Sequence, residues 1–181
     1  MLGLGTGIHL SIKPRTIVGS YYSNFTSNVN DWTAFSVQDS ASDLTLSANE
    51  DIPSGSGGGW LKGAYGVTQT NQSGITRSGG DMGLIQMNSG DEVIIKFKVY
   101  LRNVSGEDWG GTDNVNITVS YMSDTFSDTE VTQDGEYEFE VTKISDGTSG
   151  GSMTIKFNYY GDMPQEDAEF YIKDISLEVW R

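Results

Sequence analysis

Three glutamates alternate with apolar residues late in the chain: Glu136, Glu138 and Glu140. Neighbouring carboxyl groups can act as the acid and base of glycoside hydrolysis when burial raises one pKa. A spacing of two puts all three on the polar face of one β-strand, where they should titrate normally. The chain has no cysteine and a single histidine, His9, so a thiolate nucleophile, a cysteine-based zinc site and a Ser-His-Asp triad are not expected. The sequence predicts that the protein is not an enzyme.

A second group of acids, Glu107, Asp108 and Asp113, lies in a glycine-rich stretch. Calcium takes carboxylate and carbonyl oxygens as ligands. These acids are therefore candidate ligands of a structural Ca²⁺, and ordinary solvated loop acids are the alternative interpretation. The glycines at 57–59 are not followed by Lys-Ser or Lys-Thr, so they do not form a phosphate-binding loop. No cofactor is expected to be required.

The overall charge excludes one class of partner. The 181 residues hold 11 Lys and Arg against 25 Asp and Glu, a net charge of −14. Nucleic-acid binding depends on neutralising phosphates with basic residues, so we expect no nucleic-acid partner. The sequence has no run of 18 apolar residues, so no membrane insertion is predicted. The first 20 residues lack the basic region of a secretory signal, and synthesis in the cytoplasm is the expectation.

The basic residues at the start of the chain set that segment apart. Residues 1–20 hold two bases and no acid, a charge of +2, and the rest hold nine bases and 25 acids, a charge of −16. We interpret residues 1–20 as an N-terminal arm that docks on an acidic neighbour, with part of it able to add as an edge strand. A frayed terminus is the alternative. The docking residues would be Leu2, Leu4, Ile8, Leu10, Ile12, Lys13 and Arg15.

From residue 21 to residue 181 the sequence predicts one β-rich domain. Apolar residues recur with a period of two, which is typical of strands with one buried face. The strongest stripes run from Val93 to Leu101, Val115 to Tyr121, Tyr137 to Val141 and Met153 to Tyr159; weaker strands are predicted at about 33–37, 43–48, 60–67 and 83–87. Turn residues separate them, and no long amphipathic helix can be drawn. We predict an all-β fold, a jelly-roll β-sandwich of two antiparallel sheets behind a short N-terminal arm.

The last predicted strand contains an irregularity. Its apolar residues Phe170 and Ile172 are even-numbered, whereas Ile175, Leu177 and Val179 are odd-numbered. A regular strand cannot turn both sets toward one core. One extra residue in the strand restores the register, so the pattern predicts a β-bulge near residues 173–174.

Four segments in order resemble the jelly-roll carbohydrate-binding modules related to families 4, 9 and 22, among the galactose-binding-like sandwiches. They are Ser23-Asn-Phe25 with Asp31-Trp32, Ser89 to Val99, Asp134 to Val141, and Phe170 to Glu178. The resemblance covers roughly residues 20–180. It indicates the fold more specifically than the ligand, because many proteins of this architecture bind no sugar.

The resemblance implies that exposed aromatic residues would stack on sugars, whose apolar faces pack on aromatic rings. The candidates are Trp60, Tyr65, Tyr100, Trp109 and Tyr160. The alternative for both tryptophans is that they cap an open edge of the core.

Two further expectations concern the remaining tryptophans and a metal site. Trp32 and Trp180 are expected in the core or at a sheet edge. The resemblance also implies a structural Ca²⁺ between the first and last strands, with Asp174 as a ligand, although Thr26 replaces the acid expected in the first strand.

The opening residues, Met1 to Ile8, are similar to the start of small virion proteins of tailed bacteriophages that carry a lectin-like sandwich behind a short arm. This resemblance implies a structural and binding protein of a virion, in many copies or as a homo-oligomer. The arm would attach it to other virion subunits of capsid or tail, and the sandwich would be displayed outward as a capsid decoration or head fibre. A tail-associated adhesin for host glycans and a free-standing carbohydrate-binding module of a glycan-degrading system are the alternatives. The partners would be virion subunits and cell-surface or environmental glycans.

Overall fold

The structure of the chain is a computed structural model. It describes residues 14–36, 44–55, 57–65, 72–78, 87–102, 115–122, 124–147, 151–159 and 169–181. Within these ranges the chain forms eleven β-strands and no helix. They are β1 (Ile17–Ser23), β2 (Thr33–Ser36), β3 (Leu44–Glu50), β4 (Trp60–Tyr65), β5 (Gln72–Ser78), β6 (Glu92–Leu101), β7 (Val115–Tyr121), β8 (Asp124–Val131), β9 (Gly135–Ile144), β10 (Ser152–Tyr159) and β11 (Glu169–Trp180).

The strands form two antiparallel sheets. The first sheet has the order β3-β4-β11-β6-β9, and β1 also pairs with β11; the second has the order β2-β5-β10-β7-β8. Strand β11 is the centre of the first sheet, because β6 pairs along one of its sides while β4 and β1 pair with successive halves of the other. The predicted all-β sandwich of two antiparallel sheets is confirmed.

The hydrophobic core lies between the two sheets. All five apolar residues of the β6 stripe are buried, as are Val115, Ile117, Val119 and Tyr121 of β7 and Met153, Ile155 and Phe157 of β10. The rings of Phe157 and Phe170 stack with centroids 4.4 Å apart and so join the two sheets. On the edge strand β9 only Phe139 is buried, while Tyr137 and Val141 are partly exposed. The predicted inward stripes are thus confirmed where the strand is central.

The β-bulge in the last strand is confirmed. Lys173 pairs with Lys98 and Ser176 with Lys96, so β11 uses one residue more than β6 over the same distance. Asp174 has a φ of +54°, in the left-handed region. The extra residue lets Ile172 and Ile175 both point into the core, where both are fully buried.

The N-terminal boundary of the sandwich differs from the prediction. Residues 17–20, which the sequence assigned to the arm, lie in β1 and pair with the end of β11. Thr16 and Arg181 exchange two backbone hydrogen bonds of 2.9 Å each. The arm cannot extend to residue 20, because the backbone from Thr16 onward is bonded into the first sheet. Residues 1–13 lie outside the described part of the chain.

Three of the weaker predicted strands are present, as β2, β3 and β4. Of the fourth, at 83–87, only Met87 is described; it is buried and lies outside any strand. Strands β5 and β8 were not predicted. Across the described ranges, no helix has the length and apolar character needed to cross a membrane.

Candidate functional site

The outer face of the first sheet carries aromatic and charged side chains rather than a plain polar surface. Alternation along β6 turns Lys96, Lys98 and Tyr100 outward, opposite Glu140, Glu138 and Glu136 of β9. On the other side of β6, β11 contributes Lys173 and Ser176, and β1 contributes Tyr22 opposite Ser176. A hollow of about 480 Å³ lies on this face between β1 and β9. We call this region the outer-face groove; its side chains are Tyr22, Lys96, Lys98, Glu138, Glu140, Asp174 and Ser176.

Paired charges form one side of the groove. Lys98 Nζ lies 2.7 Å from Glu138 Oε1, and Lys96 Nζ lies 3.0 Å from Glu140 Oε2. The hydrogen bond between Lys98 and Glu138 raises the pKa of the lysine and lowers the pKa of the glutamate. Both therefore stay charged at neutral pH, and Glu138 cannot serve as a proton donor there. The glutamates of β9 lie on the solvated face, as predicted.

An exposed ring forms the opposite side. Tyr22 is 59% exposed, which makes it one of the most exposed large hydrophobic side chains of the described residues. Its hydroxyl donates a 2.8 Å hydrogen bond to Asp174 Oδ1, and this bond raises the tyrosine's pKa. The bulge in β11 positions Asp174 for this contact, so the tyrosine ring is fixed at its outer end while its face remains accessible.

The prediction that Trp60 offers an exposed indole face is wrong. Trp60 is 2% exposed and packs with Ile52 and Tyr171 in a small cluster separate from the main core. Lys173 Nζ lies 5.6 Å from the centroid of the indole ring and donates a 3.1 Å hydrogen bond to the carbonyl of Gly58. Trp60 is therefore buried in a satellite cluster with Tyr171 of β11, outside the main core whose open edge the alternative interpretation assigned it to.

Tyr100 lies on the predicted outer face but is only partly exposed. Its ring meets the ring of Tyr171 edge-on, with centroids 5.9 Å apart and planes at 76°. Tyr65 ends β4, and its side chain is outside the described part. Trp109 and Tyr160 also lie outside the described residues. Trp32 is buried, as expected, while Trp180 is partly exposed at the end of β11.

The calcium prediction stays a prediction. Asp174 is described and is hydrogen-bonded to Tyr22. Within the described ranges, no group of three or more His, Asp or Glu side chains could hold a metal ion. Glu107, Asp108 and Asp113 lie outside those ranges.

Of the predicted docking residues, only Arg15 is described. It forms an ion pair with Glu92, and its guanidinium lies 5.9 Å from the ring centroid of Trp180. Arg15 is thus engaged within its own chain. Leu2, Leu4, Ile8, Leu10, Ile12 and Lys13 lie outside the described residues.

Sequence reasoning missed Tyr22. It lies in the segment bordering the proposed arm, so the pair Tyr21-Tyr22 was not weighed as a binding feature. The available signal was the alternation itself, because adjacent tyrosines on a strand must point to opposite faces. Tyr21 packs against the core and Tyr22 points outward.

No family model matches the chain, and no curated protein matches it either. Several solved structures match the chain in fold. The chain superposes on the CBM22-1 xylan-binding domain of Paenibacillus barcinonensis Xyn10C with a TM-score of 0.52 and 16% identity, covering 92% of this chain and 96% of that one. It superposes on TmCBM27, a module described for specific mannan recognition, with a TM-score of 0.51 and 13% identity, covering 93% and 99%.

A longer structure matches over part of its length. The CBM22-1–GH10 modules of Clostridium thermocellum xylanase 10B, solved with xylohexaose, give a TM-score of 0.56 and 15% identity, covering 90% of this chain and 28% of that one. The chain has the fold of a carbohydrate-binding module. Several of the matched structures are named as xylan-binding domains of Xyn10C enzymes. At 13 to 16% identity these likenesses show the fold alone, and they give no support to the virion role.

Proposed function

We propose that this chain is a non-catalytic carbohydrate-binding domain that binds a neutral polysaccharide along the outer-face groove of its first sheet. The observation that carries the proposal is the Tyr22 ring, 59% exposed beside a hollow of about 480 Å³. An exposed aromatic face at the side of a concave surface suits the apolar C–H face of a sugar. The fold supports the proposal, since similar solved structures include a xylan-binding and a mannan-recognising module.

The rest of the groove supplies both hydrogen-bond donors and hydrogen-bond acceptors. Sugar hydroxyls donate and accept hydrogen bonds at once, so a sugar site needs donors and acceptors close together. Lys96 and Lys98 are donors, and Glu138, Glu140 and Asp174 are acceptors, all in the same groove. Ser176 can act as either. The ion pairs hold these groups in place before a ligand arrives, which reduces the entropy lost on binding.

The charges favour a neutral ligand over an acidic one. Each groove lysine on β6 already has a glutamate partner on β9. An anionic polysaccharide would have to displace these glutamates and approach a chain of net charge −14. We therefore expect neutral hemicellulose-type chains to bind and polyuronates not to bind.

Native gel electrophoresis with polysaccharide in the gel tests this proposal. We expect xylan, mannan or a mixed-linkage β-glucan to slow the protein, and polygalacturonate to leave its mobility unchanged. Replacing Ile17, an exposed residue of β1 outside the groove, by alanine should leave the retardation intact. Unchanged mobility in all the neutral polysaccharides would overturn the proposal.

A further inference from the structure

A second hollow, of about 560 Å³, lies on the other side of Tyr22, where the chain leaves β1 and turns into β2. Its side chains come from the end of β1, from the turn that follows it and from the end of β5. We call it the turn pocket, and its polar side chains are those of Tyr21, Asn24, Asn28, Asn30, Asp31 and Arg77. It shares only Tyr22 with the outer-face groove.

The backbone of the turn is held in one shape. Asn30 and Asp31 have φ values of +50° and +60°, in the left-handed region that Asn and Asp tolerate better than most residues. The backbone N–H of Asn30 donates a 2.8 Å hydrogen bond to Asn28 Oδ1. Phe25 and Trp32, both buried, anchor the two ends of the turn in the core. The pocket is therefore preformed rather than assembled by a ligand.

A buried arginine forms the deep side of the pocket. The Arg77 side chain is 9% exposed; its Nη1 donates to the Tyr21 hydroxyl at 3.0 Å and its Nη2 to Asp31 Oδ2 at 3.3 Å. Trp32 Nε1 also donates to the Tyr21 hydroxyl, at 3.1 Å. A phenol oxygen has two lone pairs, so Arg77 and Trp32 fill both. The Tyr21 proton is left to be donated, and no acceptor for it is seen among the described residues.

The pocket asparagines and Asp31 also keep hydrogen-bonding groups that no described residue uses. Asn24 Oδ1 accepts from Thr26 and Asn28 Oδ1 accepts from Asn30, which leaves both side-chain amide N–H groups as donors. Asn30 Nδ2 donates to Ser23 Oγ, which leaves Asn30 Oδ1 as an acceptor. Asp31 is 79% exposed and has one carboxylate oxygen outside its pairing with Arg77.

Donors and acceptors thus converge beside an exposed ring, and we propose that the turn pocket is a second, separate binding site that takes a single neutral sugar ring. A pyranose offers alternating hydroxyl donors and acceptors and an apolar face for Tyr22. A sugar carboxylate is disfavoured, because Asp31 stands at the mouth and already neutralises Arg77. This site does not depend on polysaccharide binding in the outer-face groove.

Nuclear magnetic resonance titration of the ¹⁵N-labelled full chain tests the proposal. The probes are the methyl glycosides of xylose, mannose, galactose and glucose, with glucuronate as the acidic control. We expect at least one neutral glycoside to shift the side-chain amide signals of Asn24, Asn28 and Asn30 in a saturable way, and glucuronate to leave them in place. No shift with any neutral glycoside would overturn the second site.

Two variants separate the two sites. Asn24→Ala, at an exposed position of the pocket without a positive φ, should weaken glycoside binding about tenfold or more, which corresponds to 1.4 kcal/mol, and leave polysaccharide retardation unchanged. Glu138→Ala should leave the glycoside shifts intact and weaken polysaccharide retardation. If Asn24→Ala binds the glycoside as tightly as the wild type, or if the glycosides shift only outer-face groove residues, the turn pocket is not the site. That result would leave the polysaccharide proposal standing.

Discussion

Asp91 shows how a single buried carboxylate stabilises this fold. It is 2% exposed, at the turn before β6, and its two oxygens accept hydrogen bonds from Arg181 Nε and Nη2 at 2.9 and 2.8 Å. A third hydrogen bond, of 2.8 Å, comes from the backbone N–H of Asn88. These bonds, that of Arg181 above all, lower the pKa of Asp91 despite its burial. The carboxylate joins the last residue of the chain to the start of the central strand β6.

The Asp91 contacts predict a specific pH dependence of stability. A carboxyl with a lowered folded pKa stabilises the fold above its unfolded pKa, and this stabilisation is lost as the pH falls through the folded value. We expect Asp91→Asn to reduce the free energy of unfolding by about 2 kcal/mol at neutral pH, as measured by urea unfolding. The deficit should shrink as the pH falls through the lowered pKa of Asp91, where the wild-type carboxyl becomes protonated.

A surface acid provides the control for Asp91. Glu140→Gln removes one partner of an exposed ion pair and should change stability by less than about 0.5 kcal/mol at any pH. If Asp91→Asn shows the same deficit in strong acid as at neutral pH, the contribution of Asp91 does not come from its charge.

For single residues, the sequence predicted which face of a strand a side chain occupies better than how exposed that side chain is. Alternation correctly turned Tyr100 and the three glutamates of β9 outward. It could not show that Trp60 is covered, because alternation along β4 carries no information about Ile52, in the loop before that strand, or about Lys173, far along the chain. Tyr22 was missed although alternation applied to it, because no strand was predicted at residues 17–23.

Strand β11 is the element on which the sandwich depends most, since it pairs with β1, β4 and β6. Its bulge was predictable because even-numbered and odd-numbered apolar residues of one strand can face the same core only if an extra residue lies between them. Strands β5 and β8 were not predictable in this way. β5 has Ile75 as its one large apolar residue, and Gly74 is required because a Cβ there would lie 2.1 Å from the carbonyl oxygen of Ile155. The burial of β5 comes from β2 and β10, which pair with its two sides, rather than from an apolar pattern of its own.

The bulge predicts opposite results for two changes at one position. Deleting Asp174 removes the extra residue, so Ile175, Leu177 and Val179 would be turned to the outer face, and we expect no cooperative unfolding transition. Asp174→Gly keeps the register and suits the positive φ, so this variant should fold with a stability within about 1 kcal/mol of the wild type. Circular dichroism melts measure both. A deletion variant that melts like the wild type would show that the bulge does not set the register.

At the scale of the whole molecule, the sandwich begins closer to the N-terminus than the sequence predicted. Strand β1 begins at Ile17 and so includes residue 20. Before it, Thr16 forms two backbone hydrogen bonds with Arg181, and Arg15 forms an ion pair with Glu92. The sequence suggested an arm because residues 1–20 differ from the rest in charge. Charge alone does not show where pairing begins, and β1 has no strong apolar alternation before Tyr21.

Two truncations test this boundary. Removing residues 1–13 gives the reference protein, which keeps Thr16 and the whole of β1. Removing residues 1–20 should lower the melting temperature by about 5 °C or more, since the first half of β1 and its bonds to β11 are lost. Differential scanning calorimetry of both proteins decides the matter. Equal melting temperatures would mean that residues 14–20 contribute nothing to the fold.

The proposed function also belongs to this scale, because the outer-face groove is assembled from β1, β6, β9 and β11, which are distant in sequence. Its most direct test is the dissociation constant, by isothermal titration calorimetry, of wild type, Tyr22→Ala and Tyr22→Phe for the neutral polysaccharide that retards the protein. We predict that Tyr22→Ala raises the Kd about tenfold or more, while Tyr22→Phe, which keeps the ring, stays close to the wild type. Equal dissociation constants for wild type and Tyr22→Ala would contradict the account.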